Sequence, residues 1–232
     1  MNVYAIVVRG NEISEQGFET LQASSQAVGN EFEIKRYDAV TPENAPALLK
    51  ESGLEWTYPW HGVKLGPKIR LKLSAYPTRN RWARVACALS HYDLWDMCAE
   101  QNDPIMILEH DAKFIRKIDP DQVIKDSKAN VLAINSPLGA TRKAKVYHHM
   151  VSGSASEYPN APWIDTLDVP QGLPGNSAYI LQRKGAVELR AAVKQLGLWP
   201  NDAIMCNQII SRLKVCRTYY TQVQGLRSTT TE

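Results

Sequence analysis

The stretch from Ile105 to Phe114, IMILEHDAKF, constrains this chain most, because four apolar residues run directly into Glu109, His110 and Asp111 before hydrophobicity resumes. Entered through Asn102, Asp103 and Pro104, such a run predicts a central strand covered on both faces of a sheet. Its polar residues then fall at the carboxyl end of the strand, where open α/β sheets bind their ligands. Glu109 and Asp111 stand one residue apart and offer oxygen ligands of the kind that Mg²⁺ or Mn²⁺ takes. A strand that simply ends in a solvated acidic turn would look the same at this point.

The rest of the chain supplies a sheet for that strand. Val3 to Val8 predicts a short buried strand, followed by a turn at Arg9, Gly10 and Asn11. Ile13 to Val28 has helical spacing, with Asn11 or Ser14 as its cap and Gly29 as its stop, and Phe32 to Val40 resumes a strand pattern. Strand, helix and strand in that order make a βαβ unit with a parallel sheet. Arg81 to Glu100 predicts a helix that is apolar around most of its circumference, within which His91 reads more simply as a hydrogen-bonded core residue than as a catalyst. Further strands are predicted at Val131 to Asn135, Gly175 to Leu181 and Lys214 to Val223. Helices are predicted at Gly185 to Leu196 and Ala203 to Leu213, with a polar tail from Arg227 to Glu232. The fold class expected is α/β, one domain over residues 1–232 with a mostly parallel central sheet flanked by helices.

Two stretches resist this pattern. Glu43 to Asn80 is rich in proline and aromatic residues, and from there Lys64, Lys68, Arg70, Lys72, Arg79, Arg81 and Arg84 concentrate positive charge. Such a segment either meets phosphates or is a solvated basic surface. Ser136 to Pro174 lacks clear periodicity and carries His148 and His149, whose side chains would point opposite ways on an extended segment and so would not share a metal. The net charge of +3 is too small to demand a nucleic-acid or membrane partner. Four cysteines without paired spacing fit a reducing compartment, and no apolar run suits a signal peptide or a membrane span, so a cytoplasmic protein is expected.

Three separated segments, in order, resemble glycosyltransferase family 25, the group of lipopolysaccharide-biosynthesis glycosyltransferases and collagen galactosyltransferase domains. RVACALSHYDLW, Arg84 to Trp95, is similar to that family's Gly-Glu-x-Gly-Cys-x-x-Ser-His helix. ILEHDAKF, Ile107 to Phe114, is similar to its Leu-Glu-Asp-Asp segment. LPGNSAYILQRKGA, Leu173 to Ala186, with Pro200, Asn201 and Asp202 beyond it, is similar to its Gly-Thr-x-x-Tyr strand and downstream Asp. The departures are Ala83, Arg84 and Ala86 for the family's Gly, Glu and Gly, His110 for the middle acid, and Asn176 for Thr. Arg84 reverses a charge, which bears on the choice of donor or acceptor.

The resemblance implies a GT-A-like domain that moves a sugar from a nucleoside-diphosphate donor, a UDP-sugar before others, to a hydroxyl of a glycan or other biopolymer, with inversion and with Mn²⁺ or Mg²⁺. Asp111 is then the metal ligand, and Glu109 its partner toward the metal or the ribose. Asp202 becomes the base that deprotonates the acceptor, in competition with a role capping the helix after it. Contacts to the nucleotide would come from Arg9 and Asn11, more weakly from Asp38, and from the motif positions Arg84, Ser90, His91, His110 and Asn176. Two other readings stand beside this one. A nucleic-acid-binding protein or DNA-modifying glycosyltransferase would use the basic segment 64–84 with its interleaved aromatics. A catalytically silent family relative would explain Arg84 and His110.

Overall fold

The computed structural model describes residues 1–139 and 143–226, so the expected polar tail, Arg227 to Glu232, lies outside the described residues. Six strands form the central sheet. They are β1 (Asn2–Val7), β2 (Ile34–Asp38), β5 (Ile105–Glu109), β7 (Val131–Ala133), β8 (Ala178–Leu181) and β9 (Leu213–Val215), in the order β2-β1-β5-β8-β7-β9. The β1–β2, β1–β5 and β7–β9 pairs are parallel, and β8 runs antiparallel to both β5 and β7. The class is therefore the α/β arrangement expected, with one strand reversed near its centre.

Helices cover both faces. Helix α1 (Glu12–Ala27) follows β1 and is capped by Asn11, whose Oδ1 accepts from the Ser14 amide at 3.0 Å. Helix α3 (Arg81–Glu100) packs against α6 (Arg183–Leu196) on the opposite face. The period-two alternation of β5 divides its side chains between the two cores. Ile105 and Ile107 join Leu94, Trp95 and Leu189, whereas Met106 and Leu108 join Leu21 and Ile124. All four are fully buried, which is why β5 reads as an unbroken apolar run. Helix α1 also meets a small sheet in which β6 (Ala112–Phe114) pairs with β10 (Thr221–Val223).

Several elements depart from the sequence reading. Helix α2 (Ala45–Glu51) forms inside the proline-rich stretch because Pro46 lies in its first turn, where the missing amide costs nothing. Strands β3 (Val63–Leu65) and β4 (Lys72–Ser74) then pair as a hairpin. Helix α4 (Pro120–Ser127) precedes β7, and α5 (Ala144–Ser152) occupies part of the stretch taken as aperiodic, burying only Ala144, Tyr147 and Val151. His148 and His149 thus sit on a helix rather than an extended segment, and His148 Nδ1 lies 3.3 Å from the Tyr219 hydroxyl. The helix expected at Ala203 to Leu213 is instead the short α7 (Asn201–Ile204). Ala203 through Cys206 are buried whether helical or not, so their apolar run could not mark the stop. The strand expected at Lys214 to Val223 is broken into β9 and β10, which belong to different sheets. All four cysteines are free thiols, and no helix among the described residues is long and apolar enough to cross a membrane.

Candidate active site

Because β1, β2 and β5 are parallel, their carboxyl ends open at one edge of the sheet. The reversed β8 brings its entrance, Asn176 and Ser177, to that same edge, where the Ser177 carbonyl accepts from the Glu109 amide at 2.8 Å. A cavity of about 360 Å³ opens at the ends of β1, β2 and β5. Arg9 and Asn11 line it after β1, Val40 and Thr41 after β2, Glu109 and His110 at the end of β5, and Cys87, Ser90 and His91 from α3.

The wall residues are held in place by local bonds. Ser90 Oγ accepts from the Val40 amide and donates to the Ala86 carbonyl, both at 2.9 Å, tying the turn after β2 to α3. Arg9 pairs with Asp38 at 2.6 Å, and Asp38 also takes the Arg36 Nε at 2.7 Å. Arg36 first, and then Arg9, hold the Asp38 carboxyl below the usual carboxylate range. The backbone of the acidic turn is gripped from the far end of the chain. Gln224 Nε2 donates to the carbonyls of Gly17, His110 and Ala112 at 2.8 to 3.1 Å, and the Gln224 amide donates to the Asp111 carbonyl at 2.7 Å.

A buried line of hydrogen bonds fixes Glu109 from behind. Trp95 Nε1 donates to the Tyr179 hydroxyl oxygen at 2.7 Å, that hydroxyl lies 2.9 Å from His91 Nδ1, and His91 Nε2 lies 3.0 Å from Glu109 Oε1. An indole N–H can only donate, so the Tyr179 proton is free to go to Nδ1. Nε2 then carries the imidazole proton and donates it to Glu109. Burial raises the Glu109 carboxyl, but this bond, the nearby His91 and His110 rings and Asn201 outweigh it, leaving Glu109 below the usual carboxylate range. Replacing Tyr179 by Phe orphans Trp95 Nε1 and His91 Nδ1 in the core, so urea unfolding is expected to report a loss of about 2 to 4 kcal/mol. The matched control is Tyr147→Phe, which removes a buried hydroxyl that has no partner and is expected to be neutral or stabilising.

Asp111 and Asp202 are the unusual carboxylates. Burial, then the charge of Glu109, push Asp111 up to about 7, with Ser177 opposing. One of its oxygens, Oδ1, is buried and has no hydrogen-bond partner among the described residues. Burial and Glu109 also raise Asp202, to about 6, opposed by Arg84 and by a hydrogen bond from Tyr76. Asp202 does not cap α7, since Pro200 holds the cap position and Asp202 lies inside the first turn. Arg84, the charge-reversed motif position, lies over the Tyr76 ring at 5.3 Å and donates to Thr78 Oγ1 and the Pro77 carbonyl, so its charge bears on Asp202. Asn176 donates to Met205 Sδ at 3.9 Å, and its Oδ1 is buried without a partner. Gly172 passes so close to Asp202 that a Cβ there would stand 2.1 Å from the Asp202 carbonyl oxygen.

Of the residues singled out in the sequence, Arg9, Asn11, Ser90, His91, Glu109 and His110 share the cavity lining. Asp38 lies behind Arg9, and Arg84 acts on Asp202. Sequence reasoning missed Cys87, Tyr179, Trp95, Tyr76 and Gln224. Cys87 forms with His91 and Glu109 a group whose ligand atoms lie within 4.8 Å of one another, close enough to hold a metal ion. Cys87 and His91 at i and i+4 on α3 were the available signal, whereas nothing local marks Gln224.

No match was found among curated proteins. Among solved structures, the chain is similar to the galactosyltransferase LgtC, in an active-site mutant and in a complex with donor and acceptor sugar analogs. Each comparison covers 93% of this chain and 72% of the other, at 11% identity and a TM-score of 0.43. The model of glycosyltransferase family 25, described as an LPS biosynthesis protein family, matches residues 24–205, a span that begins in α1 and runs past Asp202. This chain belongs to glycosyltransferase family 25.

Proposed function

We propose that the chain transfers a sugar from a nucleoside-diphosphate donor, a UDP-sugar before others, to a hydroxyl of a glycan or similar acceptor, with inversion and with a divalent cation. The observation that carries this reading is the partnerless buried oxygen of Asp111, two residues from Glu109 at the end of the central strand. A buried carboxylate oxygen without a donor is costly, and a hard cation such as Mn²⁺ or Mg²⁺ relieves that cost while taking oxygen ligands. Asp111 and Glu109 fit such an ion. Cys87, His91 and Glu109 offer a softer set in which Glu109 is shared, but His91 is already engaged on both nitrogens.

When bound, the ion would neutralise charge developing on the departing diphosphate. The other roles belong to the chain. Arg9 supplies positive charge, and Asn11 polar contact, at the cavity mouth. His91 keeps Glu109 ionised and oriented. Asp202 accepts the proton of the acceptor hydroxyl, and its position near 6 suits a base that is ionised at neutral pH yet able to take a proton.

The test is sugar release from a panel of UDP-, GDP- and CMP-sugars, with Mn²⁺ and with chelator. Cation-dependent release from one donor is expected. If no nucleoside diphosphate binds in the presence of Mn²⁺ by calorimetry, the reading fails.

A further inference from the structure

The basic segment that stood out in the sequence is not absorbed by the cavity. Between His61 and Leu73 the chain carries Lys64, Lys68, Arg70 and Lys72 and no acidic residue. This stretch forms the β3–β4 hairpin, which is anchored by Leu71 and Leu73, both buried. Ile69 packs half-buried against the core, while Val63, Lys64, Leu65, Lys68, Arg70 and Lys72 are exposed. In an antiparallel pair, residues directly opposite one another point to the same side, so Val63 and Leu65 share a face with their partners Ser74 and Lys72. Val63 is 63% exposed and Leu65 55%. Asp168 binds both the Lys72 amide, through its carbonyl, and the Lys72 ammonium, through its carboxylate, each at 2.6 Å. That contact sets Leu167, 75% exposed, next to the edge of β4. Two bare aliphatic side chains, Val63 and Leu65, therefore share one short hairpin with Lys64, Lys68, Arg70 and Lys72, and Leu167 adjoins its edge.

We infer that this hairpin face docks on an anionic phospholipid bilayer. A solvated basic surface needs no exposed aliphatics, and a duplex of nucleic acid offers its phosphates with nothing to receive Val63, Leu65 and Leu167. The interface of an anionic bilayer receives both, since its headgroups attract Lys and Arg while the acyl boundary takes up aliphatic side chains. Single exposed apolar residues are ordinary, whereas Val63, Leu65 and Leu167 gathered at one hairpin that carries four basic residues against the one acid Asp168 are not. Local bonds do not cancel that charge. Lys68 donates to the neutral Gln195 carbonyl, and among the described residues only Lys72 of the four is paired with an acid. The hairpin also adjoins the site. Tyr58 donates to the Ser74 carbonyl at 2.9 Å, and Tyr76, two residues beyond β4, hydrogen-bonds Asp202. In the transferase reading, on which only this sentence rests, an acceptor hydroxyl carried at a bilayer would approach from the Asp202 side.

The test is flotation of the full chain with vesicles of phosphatidylcholine alone and of phosphatidylcholine with phosphatidylglycerol, beside binding to a DNA duplex under the same salt. Partition onto the anionic vesicles is expected, weakening as salt is raised. The double variant Lys64→Glu, Arg70→Glu should partition at least about 25-fold more weakly, since each basic residue near such a surface contributes about fivefold. Val63→Ser with Leu65→Ser should lose roughly tenfold or more at unchanged charge. All four positions are exposed, and melting curves check that the variants fold. The inference is overturned by equal partition onto neutral and anionic vesicles, by no partition onto either, or by partition indifferent to both double variants. Duplex binding lost in the charge variant, without vesicle binding, assigns the face to nucleic acid and overturns it equally. None of these readouts depends on turnover, so they stand apart from any failure to find a donor.

Discussion

Asp111→Asn is expected to lower cation-dependent sugar release by at least about 10²- to 10³-fold, because it removes the carboxylate best placed to hold the ion that stabilises the leaving diphosphate. The same substitution should make the cation-free protein more stable, and this pairing separates a functional role from a structural one. In the folded chain Asp111 is pushed up to about 7 by burial and by Glu109, above its ordinary value of 3.8. The folded state therefore holds a proton that the unfolded state has released. Stability falls as pH rises between roughly 4 and 7, and the whole penalty is present above that window. Asparagine carries no charge to lose, so the rise in melting temperature over the parent should be largest above pH 7 and vanish below about 4. Mn²⁺ should raise the melting temperature of the parent and leave that of the variant unmoved. A variant that melts lower than its parent at pH 8 would show that Asp111 supports the fold, and one that still responds to Mn²⁺ would show that the ion is held elsewhere.

Asp202→Asn is expected to lower kcat by about 10²- to 10⁴-fold while leaving the KM for donor nearly unchanged, as befits a group that acts on the acceptor proton. Its companion is Arg84→Ala. Arg84 opposes the burial that raises Asp202, so its removal should move Asp202 higher still, and the acidic limb of the kcat profile should shift from near 6 toward higher pH. A profile unmoved by Arg84→Ala, alongside a full kcat in Asp202→Asn, would remove Asp202 from the chemistry. The family's acid at the position of Arg84 would act on Asp202 with the opposite sign. The arginine here favours the ionised form of a buried carboxylate, so in the proposed reading this departure would tune the site.

The framework of the fold was legible because its signals are local. An unbroken apolar run marked β5, helical spacing marked α1, α3 and α6, and the βαβ order required the parallel β1–β2 pair. The segments that misled share one physical cause. From Ala203 to Cys206 the residues are buried on every side, so hydrophobicity alone cannot separate helix from strand from turn, and around β9 a buried, half-buried, buried pattern continues into β10 of another sheet without a local break. The carboxylates of the site could be named from the chain, but their division of labour could not. Glu109 and Asp111 differ because Tyr179, from a strand more than sixty residues later, positions the histidine that serves one and not the other. Gln224 grips the backbone of His110, Asp111 and Ala112 from more than a hundred residues later, a contact that only the folded chain creates.

The near-contact at Gly172 bears on how this enzyme could be re-engineered. With no room for even a methyl group between Gly172 and the Asp202 carbonyl, the stretch leading to β8 and the short helix bearing Asp202 fit together as a lock and its key. Exchanging residues 153–172 for the corresponding stretch of a relative, to redirect the enzyme toward another acceptor, can succeed only if the graft ends in glycine at that point. A graft ending in any larger residue would displace the carboxylate it was meant to serve.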